Sequence, residues 1–286
     1  MDGIVHLAQL VAVADHDDRL RLVGKIASLA FPPSGGVRTR SVARVRHLAV
    51  AAGCALAWGL AAAAAVVPFK PGERVLFYGD SITHGGKYIF YLQLFENLRH
   101  PGSGVRLVNG GRSGGAASGG VRNFEREMKS SRPDRAFVMF GMNDVDRDSY
   151  ATSAPTDAEG RRRAGALARY RDNQRKLAGM ICAAGVKAVM VAPSPYDQYS
   201  EQACRNLVDC NEPGLAACAD IVRNLAAERN LGVVEFHRPL TEQLKAHPEL
   251  HLCGTDRVHP REAGHLLMAA LVLEAMGETP TVATVS

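Results

Sequence analysis

Val75-Leu76-Phe77-Tyr78-Gly79-Asp80-Ser81-Ile82-Thr83 sets an apolar run of strand length directly against Gly-Asp-Ser, and helical periodicity follows from Tyr88 to Leu98. This layout places a serine hydroxyl at the carboxyl end of a strand, just before a helix. Ligands of open α/β sheets bind at that edge, where the free N–H groups of a helix start favour negative charge. Ser81 is therefore a candidate nucleophile. Asp80 and Ser81 are also good N-cap residues, and the stretch by itself leaves both readings open.

Outward from this stretch the pattern alternates. Apolar strand candidates fall at 74–79, 105–109, 135–140, 187–192 and 232–236, and helix candidates at 87–99, 119–130, 158–184, 214–230 and 261–276. Strands alternating with helices predict a parallel sheet covered on both faces, and right-handed crossovers narrow it further. The expected fold is α/β, a three-layer α/β/α sandwich with a doubly wound, flavodoxin-like parallel sheet of about five strands. Two segments read as loops, the polar stretch Asp144 to Asp157 and the longer Pro193 to Gly214. Long loops at the carboxyl edge of a sheet often shape binding sites.

Four short stretches lie near the carboxyl ends of these strands or before the last helix. They are Gly79-Asp80-Ser81-Ile82, Asn109-Gly110-Gly111-Arg112-Ser113-Gly114-Gly115, Gly141-Met142-Asn143-Asp144 and Asp256-Arg257-Val258-His259-Pro260. Each alone reads equally as turn or capping residues. In this order, over about residues 73–277, they resemble the SGNH hydrolases, also called the GDSL esterase family. The resemblance implies Ser81 as nucleophile, His259 as general base and Asp256 as the group that orients it. It also implies an oxyanion hole built from the Ser81 and Gly114 backbone N–H groups and the Asn143 side-chain amide. The chemistry fits: a neutral hydroxyl needs a base, histidine is suited to that task near neutral pH, and aimed donors stabilise a tetrahedral oxyanion. His84, Arg112 and Asp146 fall near the same edge and are candidate substrate contacts. The chain departs from common family members at Gly115, where an aspartate often stands.

Two rival motifs weigh less. Gly111-Arg112-Ser113-Gly114-Gly115 matches G-x-S-x-G, but that elbow needs a helix starting at the serine, and small residues continue here to Gly120. Gly79 to Lys87 lacks the glycine and Ser/Thr spacing of a phosphate loop, so nucleotide binding is discounted. No zinc spacing occurs, and Pro248 interrupts His247-x-x-x-His251. The sequence implies neither a metal nor a cofactor. The expected substrate is a small-molecule or glycan ester, with a carbohydrate O-acetyl group preferred by analogy with the family. The alternatives are a lipolytic esterase or thioesterase acting on longer chains, or a non-catalytic envelope glycan-binding protein.

The formal net charge of +5 invites a nucleic-acid reading until the charges are placed. Residues 1–67 hold seven Lys/Arg and four Asp/Glu, leaving 27 basic and 25 acidic side chains beyond them. With no basic, aromatic-interleaved stripe in that remainder, nucleic acid is not an expected partner. Arg38, Arg40, Arg44 and Arg46 precede the uncharged run Leu48 to Val67, and Ala61 to Ala65 suit signal-peptidase cleavage. Residues 37–67 are accordingly read as a signal peptide in preference to an N-terminal anchor, the one expected contact with a membrane. The protein is expected to be exported, with the hydrolase domain at 68–286. No methionine lies between Met1 and Met128, so residues 1–36 are expected to be either an over-extended gene reading, with a start near Val37, or a disordered leader. Export permits disulfides; Cys204, Cys210 and Cys218 lie close enough in sequence to pair, with Cys182 and Cys253 further off.

Overall fold

The computed structural model describes residues 63–278. The expectations for 1–36 and for most of 37–67 lie outside the described residues.

Five parallel strands form one sheet in the order β2-β1-β3-β4-β5. They are β1 (Arg74–Gly79), β2 (Arg106–Gly111), β3 (Arg135–Met139), β4 (Lys187–Ala192) and β5 (Gly232–Glu235). Among the described residues the α-helices are α1 (Ser81–Gly85), α2 (Lys87–Arg99), α3 (Ala117–Ser131), α4 (Asp157–Ala183), α5 (Ala216–Glu228), α6 (His237–Ala246) and α7 (Glu262–Ala275). Helices α2 and α7 pack together, as do α3 with α4 and α4 with α5. This is the doubly wound α/β/α sandwich expected from the sequence. Its order reverses between β1 and β3, and in such sheets the crevice at the reversal is where ligands bind.

The central strands are apolar because both of their faces are covered. Val75, Leu76, Phe77 and Tyr78 are buried throughout, and Phe77 stacks on Phe137 of β3 at a centroid distance of 4.9 Å. At the opposite, amino edge, Arg135 is almost fully buried and pairs with Glu73 at 2.9 Å. Its guanidinium also donates to the carbonyls of Val67 and Pro68. The described chain ahead of residue 68 therefore belongs to the fold: Ala64 bridges to Gly232 beside β5, and Val66 is buried in the core.

Three features differ from the sequence reading. Strand β2 extends to Gly111, so Asn109, Gly110 and Gly111 are strand residues paired with Phe77, Tyr78 and Gly79; pairing to β1 holds glycines extended where local preference favours a turn. Two helices were not foreseen: α1 is too short for periodicity to register, and α6 follows β5 almost at once. The loop after β4 closes on a π-helical turn, Cys210–Leu215, that leads into α5. Cys182, Cys204, Cys210, Cys218 and Cys253 are all free thiols. Burial pushes the Cys210 thiol up to about 12, so Cys210 sits there as a small apolar group.

Candidate active site

Asp80 follows β1 directly and caps α1: its carboxylate accepts the Ile82 N–H at 3.0 Å. Ser81 is thus the first residue of α1, just beyond the carboxyl end of β1. The capping reading of Gly-Asp-Ser falls to Asp80, and Ser81 is not used as the cap.

His259 comes from the loop between α6 and α7. Its Nε2 lies 2.7 Å from Ser81 Oγ, and its Nδ1 lies 2.5 Å from Asp256 Oδ2. The other oxygen of Asp256 accepts the backbone N–H groups of Val258 and His259 at 3.0 and 3.1 Å. The carboxylate is fixed inside its own turn. Partial burial acts to raise its pKa, but the hydrogen bonds from His259 and Val258 outweigh it and hold Asp256 below the ordinary carboxylate range. Asp256 is an anion facing an imidazole whose far nitrogen faces a serine. This geometry permits proton transfer from Ser81 to His259 with Asp256 balancing the imidazolium.

The second and third sequence blocks converge on the same edge. Gly114 lies in the turn between β2 and α3 with φ +67°. Asn143 follows β3, and its Nδ2 donates to the Gly115 carbonyl at 2.9 Å. Asp144 accepts the Ala117 N–H at 2.9 and 3.2 Å, so its carboxylate caps α3. Burial raises Asp144 to about 6 despite the N–H groups of Ala117 and Gly141. The Asn143–Asp144 pair thereby ties the loop carrying Gly114 to the end of β3. Neither the Ser81 nor the Gly114 backbone N–H has a hydrogen-bond partner among the described residues.

The remaining candidates have structural partners. His84 Nδ1 is 3.2 Å from the Gly111 carbonyl. Arg112 pairs with Glu127 of α3. Asp146 receives a two-pronged hydrogen bond from Arg162, at 2.7 and 2.9 Å. Ser113 is exposed in the turn ahead of α3, which begins only at Ala117. Among the described residues no group of three or more His, Cys, Asp and Glu could hold a metal, and no helix is long and apolar enough to cross a membrane.

Two contributors carried no separable sequence signal. Asn109 reads as a turn residue, yet its side chain donates to the His84 carbonyl at 3.1 Å and accepts the Gly111 N–H at 2.9 Å, binding β2 to α1. Arg257 stands inside the last block as an unremarkable charge and is buried.

Residues 77–267 match the GDSL-like lipase/acylhydrolase family. The chain belongs to that family. Among family relatives, it is 28% identical over 221 residues to an acetylxylan esterase from Geobacillus stearothermophilus, covering 72% of this chain and 94% of that protein. Its fold is similar to crystal structures of that organism's acetylxylan esterase, for one of which the TM-score is 0.61 at 24% identity, covering 75% of this chain and 99% of the other. It is also similar to a gut microbial diltiazem-metabolizing enzyme, with a TM-score of 0.68 at 28% identity; 75% of this chain is covered, but only 49% of the other, so the chain spans about half of that enzyme.

Proposed function

We propose that this family member is a serine esterase that removes O-acetyl groups from carbohydrates. The observation that carries the reading is the Ser81–His259–Asp256 chain of hydrogen bonds at the reversal point of the sheet. The acetylxylan esterase relative supports the substrate class. Structures of catalytic mutants of the Geobacillus esterase, altered at a serine, an aspartate and a histidine, support the residue types.

In this mechanism Ser81 Oγ attacks the acetyl carbonyl carbon as His259 Nε2 takes its proton. The carbonyl oxygen becomes an oxyanion, held by the Ser81 and Gly114 N–H groups and the Asn143 amide, each such donor being worth about 10²–10³ in rate. Collapse breaks the bond to the sugar oxygen, which leaves with the proton from His259. Water then gives a proton to His259 and attacks the acetyl-serine carbonyl. The second collapse returns that proton to Ser81 and releases acetate. Throughout, Asp256 holds the imidazole tautomer and balances its positive charge.

The deciding assay is acetate release from acetylated xylo-oligosaccharides beside hydrolysis of p-nitrophenyl acetate and octanoate. Release of acetate with preference for the acetyl ester is expected; preference for octanoate would replace the reading with a lipolytic one, and no turnover on any of the three would favour a binding protein.

The proposal includes export. The arginines at 38–46 and the uncharged run after them support it. Ala64 pairs with the sheet edge, which favours cleavage ahead of that residue. N-terminal sequencing of the mature protein tests this: a product still starting at Met1 refutes it.

A further inference from the structure

Arg257 stands between Asp256 and His259 and behaves unlike either. The side chains of Asp256 and His259 are about half exposed, whereas Arg257 is only 4% exposed. Its φ of +64° is a left-handed conformation that an arginine adopts at a cost. The turn at this point sends the guanidinium into the loop that follows β4. There Nη1 donates to the carbonyls of Asp197 and Ser200 at 3.0 and 2.8 Å. Nη2 donates to Gln202 and Nε to Cys204, both at 3.3 Å. The Arg257 carbonyl in turn accepts the Asp197 N–H at 2.8 Å.

Among the described residues this buried cation makes no ion pair; backbone carbonyls solvate it instead. A buried charge is tolerated only when its donors are satisfied, and the planar fork of arginine can meet several acceptors in fixed directions, as a lysine cannot. The cradle is itself built. The Asp197 carboxylate accepts the Ser200 hydroxyl and the N–H groups of Tyr199 and Ser200, curling the segment so that its carbonyls converge.

The Asp256–His259 turn needs such an anchor. Apart from the His259–Ser81 contact that it must hold in place, its other backbone hydrogen bonds are local: Gly254 to His259, Arg257 to Gly254 and Arg261 to Leu252. Val258 pins the turn to the core, but an aliphatic contact is non-directional. We propose that Arg257 is a positioning residue, fixing the rotation of this turn against the 197–204 loop so that Asp256 and His259 stay aligned with Ser81. The proposal rests on reading Ser81, His259 and Asp256 as the catalytic set.

The test is a double-mutant cycle on the full chain with p-nitrophenyl acetate, using Arg257→Lys, Asp256→Asn and both together. Arg257→Lys is expected to lower kcat about tenfold with KM unchanged, and to cost less than about twofold more once Asp256 is already asparagine, because residues acting through one another are not additive. The same fold loss in both backgrounds, or none in either, overturns the proposal and leaves the catalytic reading standing. Full activity in Asp256→Asn alone overturns both. If Arg257→Lys does not fold, Asp197→Asn loosens the carbonyl cradle from the other side, and the same cycle with it decides on the same criteria.

Discussion

Gly111 and His84 touch backbone to backbone: a Cβ on Gly111 would sit 2.1 Å from the His84 nitrogen and 2.6 Å from its Cα. The end of β2 is thus the seat on which α1, and with it Ser81, rests. Gly111→Ala must push α1 away from the sheet edge. Overpacking of this kind costs about 1–3 kcal/mol, and the displaced serine should lose activity beyond the fraction unfolded. Gly114→Ala is the contrasting case. Nothing lies within 4 Å of its Cβ, and only its φ of +67° is unfavourable, at about 1–2 kcal/mol. Denaturant midpoints measured beside kcat should show both variants destabilised, with kcat of the folded protein impaired only in Gly111→Ala.

Ser113 lies in a turn that sequence alone made a rival nucleophile. It is exposed, α3 starts at Ala117, and the histidine that meets a serine meets Ser81. Ser81→Ala should reduce p-nitrophenyl acetate turnover about 10⁴-fold or more, whereas Ser113→Ala should stay within about threefold of wild type, since surface substitutions rarely matter more. Burst kinetics at high enzyme concentration should show acyl-enzyme accumulation only where Ser81 is present.

Two buried groups give stability opposite responses to pH. Burial raises Asp80 to about 7, opposed by the Ile82 N–H and reinforced by Asp144. With its folded value above its unfolded one, its contribution is fully present below about pH 4 and is lost as pH rises through about 7. His265, buried and stacked on Tyr88, is lowered to about 4, first by burial and then by Lys87. Its contribution is present above about pH 6.5 and is lost as pH falls through about 4. The two nearly oppose each other across the same window, so variants must separate them. Relative to wild type, Asp80→Asn should gain melting temperature as pH rises from 5 to 7, and His265→Phe should gain as pH falls from 6.5 to 4.5. A difference that stays constant with pH in either variant would refute its assignment.

The sheet was legible in the sequence because its strands are buried on both faces, and continuous apolar runs such as Val75–Tyr78 are what such burial demands. The long helices were legible through their periodicity; the Thr156–Glu159 capping box that starts α4 is a feature of the structure. What escaped has physical reasons. Helix α1 has five residues, fewer than two turns of pattern. Asn109-Gly110-Gly111 has turn composition, yet the β1 ladder makes it strand. The site showed only as residue types in order. That Asn143 clasps Gly115, or that Arg257 is buried while its neighbours are not, depends on contacts between segments far apart in the chain.

Asn143 offers the sharpest separation of binding from catalysis. One proton of its amide is engaged by the Gly115 carbonyl at 2.9 Å, which orients the group and, in the proposed mechanism, assigns its second N–H to the developing oxyanion. A donor placed for the tetrahedral intermediate binds the ground-state ester only weakly. Asn143→Ala should therefore lower kcat by about 10²–10³ while KM shifts little. The lost clasp to Gly115 should cost about 1 kcal/mol of stability, visible as a modest fall in melting temperature and too small to account for the rate. Asn143→Asp keeps the shape but turns a carboxylate toward the oxyanion, so it should be at least as slow as the alanine variant. If instead KM rises in proportion as kcat/KM falls, with kcat retained, Asn143 holds substrate rather than the transition state, and the oxyanion hole rests on the Ser81 and Gly114 N–H groups.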